Sequence, residues 1–172
     1  MQPIVYYIQE GMMKLRRFVS GMKLKGMVSW KVLDKDGNVL QSGAAPNQIK
    51  TVGKAEVARL IGAVAGGTAF SALAIGTSAT ANDPAQQTLV AEITTGAGGR
   101  GAATVTNVTT TTTEDTVRFV KSWTFSAGFT IQEAGIFNNN TSGGDMLGRI
   151  LIGPITVVSG NILQLQYDII VG

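Results

Sequence analysis

The side chains that most often carry out covalent catalysis or bind zinc are missing from this 172-residue chain, which has neither Cys nor His. Disulfides, thiolate nucleophiles and Cys/His zinc sites are therefore excluded, as is every catalytic triad that uses an imidazole base. Carboxylate and Ser–Lys chemistry remain. Because no second acid stands at a recognisable spacing from the one carboxylate in an apolar setting, we expect no catalytic residue and no cofactor.

That carboxylate is Glu133, which lies between Ile131 and Ile136. A buried acid can serve as a general acid, but it can equally form a structural contact. Arg149 lies on a later predicted strand, and a buried carboxylate is normally paired. We therefore predict that Glu133 and Arg149 form a structural ion pair.

One turn begins like a calcium-binding loop, at Asp34-Lys-Asp-Gly-Asn38. The calcium loop requires Gly at its sixth position and Glu at its twelfth. Val39 and Ala45 stand there instead. We therefore predict a hairpin turn with acidic residues at its tip and no bound metal.

A second motif matches the glycine spacing of dinucleotide-binding loops, at Gly96, Gly98 and Gly101. A dinucleotide site needs a helix directly after this loop, so that its N-terminus faces the phosphates. The following residues, Thr104–Val108, have the β-branched composition of a strand. We therefore predict a loop without a nucleotide.

The basic residues concentrate near the N-terminus. Residues 1–31 carry a net charge of +5, whereas residues 32–172 carry −2. We identify residues 1–26 as an N-terminal basic arm, and its candidate partner-binding residues are Lys14, Arg16, Arg17, Lys23 and Lys25.

Three interpretations of the arm remain open. Its Lys and Arg side chains could contact nucleic-acid phosphates while Tyr6, Tyr7 and Phe18 stack on bases. The apolar residues between the charges suit an acidic protein surface at least as well. A solvated tail is the third interpretation. We expect a protein partner rather than nucleic acid.

The elements that would position these residues are mostly short strands. Val28, Trp30 and Val32 alternate with other residues, and a turn at 34–38 leads to Val39, which predicts a hairpin. A second hairpin is predicted from strands at 104–112 and 117–125, and a further strand at 70–75. Four more runs bounded by turn residues lie at 129–137, 146–152, 155–158 and 162–171.

One helix is predicted, from Thr51 as its N-cap to about Val64, before Gly66 and Gly67 end it. Its predicted core-facing stripe consists of Val52, Ala55, Leu60, Ile61 and Val64. With about eight to ten strands in total, the chain is predicted to be mainly β. We expect a single β-sandwich or jelly-roll-like domain over residues 27–172, with one short helix and the arm before it.

The composition suggests that other proteins cover part of the surface. Hydrophobic residues make up 44% of the chain and charged residues only 15%. Uncharged β surfaces that remain open to solvent tend to associate. No stretch is long and apolar enough to span a membrane, and the apolar start ends too early for a signal peptide, so we expect no membrane contact.

The order of motifs is familiar. In sequence order they are Asp34–Asn38, Pro46–Gly53 leading into the helix, Phe70–Ser78, Leu89–Glu92, Ile131–Phe137 and Gly144–Arg149. This arrangement resembles small virion proteins of tailed bacteriophages, described as head decoration (cement) proteins or as tail-fibre and collar components. The resemblance covers residues 28–172, and its strongest parts are Ala74–Thr77 (A-I-G-T) and Glu133–Phe137 (E-A-G-I-F).

The resemblance implies a non-enzymatic virion protein with a β-sandwich and no catalytic residues. Our first hypothesis is a decoration protein that stabilises the head by binding across major capsid protein subunits. We expect a homo-oligomer, with a trimer favoured because it suits threefold positions. The alternatives are a tail-fibre or collar adaptor of the virion, a carbohydrate-binding β-sandwich, and, least favoured, an enzyme.

Overall fold

The computed structural model of the chain describes residues 23–63 and 66–172. Within these ranges it contains ten strands and one helix, which confirms the prediction of a mainly β fold. Most of the predicted arm, including Lys14, Arg16 and Arg17, lies outside the described residues. Lys23 and Lys25 lie at the start of the first strand, which begins at Leu24, before the predicted domain boundary at residue 27.

The described elements are, in chain order, β1 (Leu24–Leu33), β2 (Val39–Pro46), β3 (Gln48–Ile49), α1 (Thr51–Ile61), β4 (Ala72–Gly76), β5 (Gly101–Ala102), β6 (Thr104–Val108), β7 (Thr116–Thr124), β8 (Phe129–Phe137), β9 (Met146–Val157) and β10 (Ile162–Val171).

These strands form two antiparallel sheets of five strands each. Sheet A has the order β2-β1-β10-β7-β6, and sheet B has the order β3-β9-β8-β4-β5. The two predicted hairpins are confirmed, since β1 pairs with β2 around residues 34–38 and β6 pairs with β7. The outer strands of sheet B are only two residues long, whereas β2, on one edge of sheet A, is eight residues long.

The main hydrophobic core lies between the two sheets, and a smaller cluster that includes Phe137 and Met146 is separate from it. Val28 and Val32 of β1, and Leu165 of β10, are buried from sheet A, and Ile131 and Ile150 meet them from sheet B. Alternate residues of β1 and β10 point into this core, as the period of two in their sequences predicts. Burial of one apolar face of each sheet gives the sandwich its stability.

The strand signals near Pro154 differ from the structure. The sequence predicts two strands separated by Gly153 and Pro154, but β9 continues through both residues. Gly153 has a φ of 81°, which glycine adopts without steric cost, and the pairing of β8 with β9 shifts register between Ile131 and Glu133. The turn residues therefore mark an irregularity within one strand.

The threonine-rich run also differs from its prediction, because β6 ends at Val108 and residues 109–115 form a turn. The Asp115 carboxylate accepts hydrogen bonds from three backbone N–H groups of this turn, at 2.9 Å each, from Thr110, Thr111 and Thr112. These bonds hold the pKa of Asp115 well below its usual range. A turn built around one carboxylate replaces the strand that β-branched composition favours.

The helix is shorter than predicted and packs on a different face. It ends at Ile61, Val64 lies outside the described residues, and the N-cap position is Lys50, without a side-chain cap hydrogen bond. Ile61 is 69% exposed, although it was predicted to face the core. The buried helix residues are Gly53 and Glu56.

Two features determine which face of α1 packs against the sandwich: the close backbone approach at Gly53 and the buried, hydrogen-bonded carboxylate of Glu56. A Cβ at Gly53 would lie 2.5 Å from the Leu147 Cα, so only glycine allows α1 to lie this close to β9. Glu56 accepts hydrogen bonds from the Thr68 N–H, Arg59 and Asn138, of which the Thr68 bond contributes most to lowering the pKa of Glu56.

The first and last described residues are paired with each other. The Lys23 N–H donates to the Gly172 carbonyl at 2.6 Å, and the Gly172 N–H donates to the Lys23 carbonyl at 3.0 Å. The pairing continues the register of β1 with β10, in which Leu24 faces Val171. Both ends of the sandwich therefore lie at the same end of sheet A.

Candidate interaction surface

The structure brings the predicted ion pair together. Arg149 Nε donates to Glu133 Oε2 at 2.7 Å, and both side chains are fully buried. Glu133 also accepts the backbone N–H groups of Ala91 and Val90, at 2.7 Å and 3.1 Å. The carboxylate is thus occupied by contacts within the chain, which assigns Glu133 a structural role rather than that of an acid facing a cleft.

Lys50, a residue that sequence reasoning missed, lies beside this pair and is also buried. Its ammonium group has four oxygen partners within 3.2 Å: Gln48 Oε1, Asn82 Oδ1, the Asp83 carbonyl and Gln86 Oε1. Arg149 shares Asn82 and Gln86 with it. Two cations therefore hold the loop before residue 88 against sheet B.

Burial, together with the nearby Arg149 charge, lowers the pKa of Lys50 from 10.5 to about 8. Lys50 holds its proton more tightly in the unfolded chain, where its pKa is 10.5, than in the folded protein. At a pH low enough for Lys50 to stay protonated, folding must bury a charged ammonium group, which lowers the free energy of unfolding. Stability should therefore rise as pH increases from about 8 to 10.5. We expect urea unfolding to show this rise in the wild type, and Lys50→Met to remove it. Equal pH slopes for the two proteins would contradict the prediction.

Arg100 forms a second internal cluster that the sequence did not reveal. Its guanidinium makes two hydrogen bonds to Glu92, at 2.9 Å and 2.6 Å, and one to the Gly143 carbonyl at 2.7 Å. It also lies 3.5 Å from the centre of the Phe137 ring. The predicted glycine loop is thus tied to two other loops. The elements that follow this loop are the strands β5 and β6, whereas a dinucleotide-binding site requires a helix at this position.

The turn between β1 and β2 carries exposed acidic groups. Asp34 Oδ1 accepts the N–H groups of Asp36 and Asn38, at 2.8 Å and 2.9 Å, and its other oxygen accepts the Asn38 amide. These bonds, led by that from the Asn38 side chain, lower the pKa of Asp34. The side chain of Asp36 is 63% exposed. We call this turn the acidic tip of the β1–β2 hairpin, since it carries two carboxylates and one ammonium group, that of Lys35, which lies 2.9 Å from Asp36 Oδ2.

The two described arm residues line a groove at the opposite end of β1. Lys23 and Lys25 meet Lys54 of α1 around a cavity of about 570 Å³. Its apolar lining includes Leu24, Val57 and Ile61. We call this the basic groove. It combines three positive charges with exposed apolar surface, which suits an acidic protein segment with apolar anchors.

The outer face of sheet A is polar, with Lys31 near its centre and the Arg118–Asp168 pair beside it. A shallow depression over its centre is lined mainly by hydroxyl and amide side chains: Ser29, Ser42, Ser122, Gln164 and Gln166. Among the described residues no aromatic side chain is exposed. Trp123 and Tyr167 are buried in the core, and Trp30 is half-buried and packs against the core. The aromatic platform that typically binds sugars is therefore lacking in the described part of the chain.

The free edge of β2 carries exposed apolar side chains. It forms one margin of sheet A, where only β1 pairs with it. Val39 and Leu40 are 55% and 58% exposed, and none of its eight residues is charged. Edge strands normally carry charges, bulges or a covering element that prevents pairing with another chain.

Across residues 23–63 and 66–172, no group of three or more acidic side chains is placed to hold a metal ion. In the same ranges, no helix has the length and apolar character to cross a membrane. Compared with known proteins, the chain matches no protein family, no curated protein and no solved structure.

Proposed function

We propose that this protein is a structural component of a bacteriophage virion, a decoration protein that stabilises the head by binding across major capsid protein subunits. It acts as a homo-oligomer, and it stabilises its neighbours by burying apolar surface across their boundaries. Many identical copies on one particle make a weak contact effective through avidity.

The observation that carries this proposal is the uncharged exposed edge of sheet A. Val39 and Leu40 remain exposed on β2 in the isolated chain. The charged side chains buried inside the domain, by contrast, are engaged in contacts within the chain, as in the pair of Arg149 with Glu133. The exposed apolar side chains are unfavourable in water, and the buried charged groups are engaged in contacts within the chain. Both features suit a protein that acts by binding its neighbours.

The basic groove supports an acidic partner surface. Lys23 and Lys25 lie at the beginning of β1 and line this groove, and residues 1–22 directly precede them in the sequence. Both the groove and the preceding segment, with Lys14, Arg16 and Arg17, carry positive charge. They would bind the same acidic region of a capsid neighbour, the groove locally and the arm across a longer span.

Deletion of residues 1–22 tests the arm. We expect the sandwich to stay folded, because the deletion stops before β1, and attachment to heads stripped of this protein to weaken at least about tenfold and to lose part of its salt dependence. Occupancy on the particles would be measured against free protein concentration. Substitution of Arg118→Gln, which removes one partly exposed positive charge on β7, away from both the basic groove and the edge of β2, is the control.

Undiminished occupancy after the deletion would contradict a binding role for the arm. Labelled protein on intact particles separates the two virion locations: signal spread over the head supports decoration, whereas signal confined to the tail or one vertex supports the adaptor alternative. Signal on neither would contradict the proposed function.

A further inference from the structure

The edge of β2 lacks charged side chains, and its one irregularity, a bulge at Leu40, lies near its first end and leaves Gln41–Pro46 regular. Its eight residues, Val39–Pro46, include no Lys, Arg, Asp or Glu, and its one proline stands at the end of the strand. The opposite edge of sheet A, β6, is shorter, at five residues. Within the described residues, no strand pairs with the outer side of β2. Its backbone N–H and C=O groups on that side are available to another strand.

We propose that β2 pairs with β2 of a second copy of this chain, antiparallel and about a twofold axis, so that the two copies of sheet A become one continuous sheet. The inference deepens the proposed function, on whose assembly role it rests, by naming the surface through which the chain meets itself. A twofold interface uses the same strand twice and needs no separate complementary site.

Strand geometry restricts the register of this pairing. Opposed residues in an antiparallel pair must both direct their backbone groups either toward or away from the partner strand. When a strand pairs with an identical strand, the two residues of each pair must therefore be an even number of positions apart in the sequence, so the twofold axis passes through a residue. In the middle of β2 that residue is Ser42 or Gly43. The central contacts then involve the small side chains of Ser42 and Ala44 and the Gly43 backbone, which allow close approach, together with Gln41, while Val39 or Leu40 lies near Ala45 or Pro46 of the second copy.

The same registers bring opposite charges together. β1 pairs with β2 so that Met27 faces Pro46. If both registers are continued past Pro46, the turn that carries Asp36 in one copy lies near the level of Lys25 of the second copy for an axis at Ser42. For an axis at Gly43, it lies near the level of Lys23. Because this turn curves back toward β1 of its own copy, the two backbones are at least two strand spacings apart, about 10 Å or more, a distance that an extended lysine and an aspartate side chain span together.

The acidic tip of each copy therefore meets the β1 margin of the basic groove of the other, where it uses one of Lys23 and Lys25 and leaves Lys54 and the other lysine to the acidic capsid partner. Asp36 is exposed at the tip, and Lys23 and Lys25 are exposed at the groove. Within one chain these charges cannot meet, because they lie at opposite ends of the ten-residue strand β1. The twofold symmetry forms this contact twice. It also predicts a dimer in place of the trimer that the sequence interpretation favoured.

The first test is the oligomeric state of the full chain, by light scattering and sedimentation over a range of concentrations. We expect a dimer for the wild type. The double substitution Ser42→Lys/Ala44→Lys places like charges along the shared edge and should raise the dissociation constant by roughly tenfold or more. Thr124→Lys adds a charge to an exposed position of β7, away from the edge, and should leave the dimer intact.

A charge exchange tests the register. Asp36→Lys and Lys25→Asp should each weaken the dimer, and the chain carrying both substitutions should recover most of the lost affinity. Far-UV circular dichroism of each variant excludes loss of fold as the cause. A monomeric wild type, a trimer, or a dimer insensitive to the β2 lysines would overturn the proposal. A monomer that still decorates heads would overturn it and leave the proposed function standing, whereas a dimer that never binds particles would do the reverse.

Discussion

Replacement of Arg149 by Met is expected to lower the free energy of unfolding by about 3–5 kcal/mol, because it leaves the Glu133 carboxylate buried without its cation. Both side chains are fully buried, and the Nε–Oε2 distance is 2.7 Å. The loop residues Asn82 and Thr80 would also lose their Arg149 donors. Urea unfolding followed by tryptophan fluorescence measures the loss, since Trp123 lies in the core.

The chain supplies a matched control for this change. Arg118 makes a two-bond contact with Asp168 on the outer face of sheet A, where their side chains are 32% and 12% exposed. Arg118→Met removes the same kind of pair from a partly solvated position, and we expect it to cost at most about 1 kcal/mol. Equal losses for Arg149→Met and Arg118→Met would show that burial does not determine the contribution of Arg149.

The second large effect is expected at Gly53, where Val should lower the free energy of unfolding by about 2–3 kcal/mol. A Cβ there would lie 2.5 Å from the Leu147 Cα and 2.6 Å from its carbonyl oxygen. Backbone atoms cannot rotate away as a side chain can, so α1 must move off β9. Thermal and urea unfolding would both report the change.

Ala55→Val, on the same helix, is the control. Ala55 is exposed, so the substitution adds a β-branched side chain without a clash and should cost less than about 1 kcal/mol through helix propensity. If Gly53→Val is tolerated as well as Ala55→Val, the close approach of α1 to β9 is not required for stability.

The sequence predicted those elements whose signal is local. The β1–β2 hairpin follows from alternation at Val28 and Val32 and from the turn at Gly37, whose φ of 86° favours glycine. The helix position was also predictable, but its orientation was not. The apolar residues Leu60 and Ile61 indicate a core face, yet the close approach at Gly53 and the buried hydrogen bonds of Glu56 determine the face that packs.

Part of the buried polar network was predictable for a related reason. An acid between isoleucines demands a partner, so Glu133 and Arg149 could be paired from their settings alone. Lys50 and Arg100 could not be assigned in this way, because their partners come from loops far away in sequence, such as Asn82 and Gly143. The basic groove was equally hidden, since it joins the start of β1 to Lys54 of α1 only in three dimensions.

The mutual hydrogen bonds of Lys23 and Gly172 make the topology of the sandwich nearly cyclic. A linker of a few residues could join these two positions covalently, and the chain could then be reopened in the exposed loop 126–128 between β7 and β8. Such a circularly permuted domain would present new termini at the end of sheet A opposite the basic groove, since Thr124 faces Ile162 whereas Leu24 faces Val171. Foreign peptides fused there would be displayed on a face that the proposed interfaces leave free.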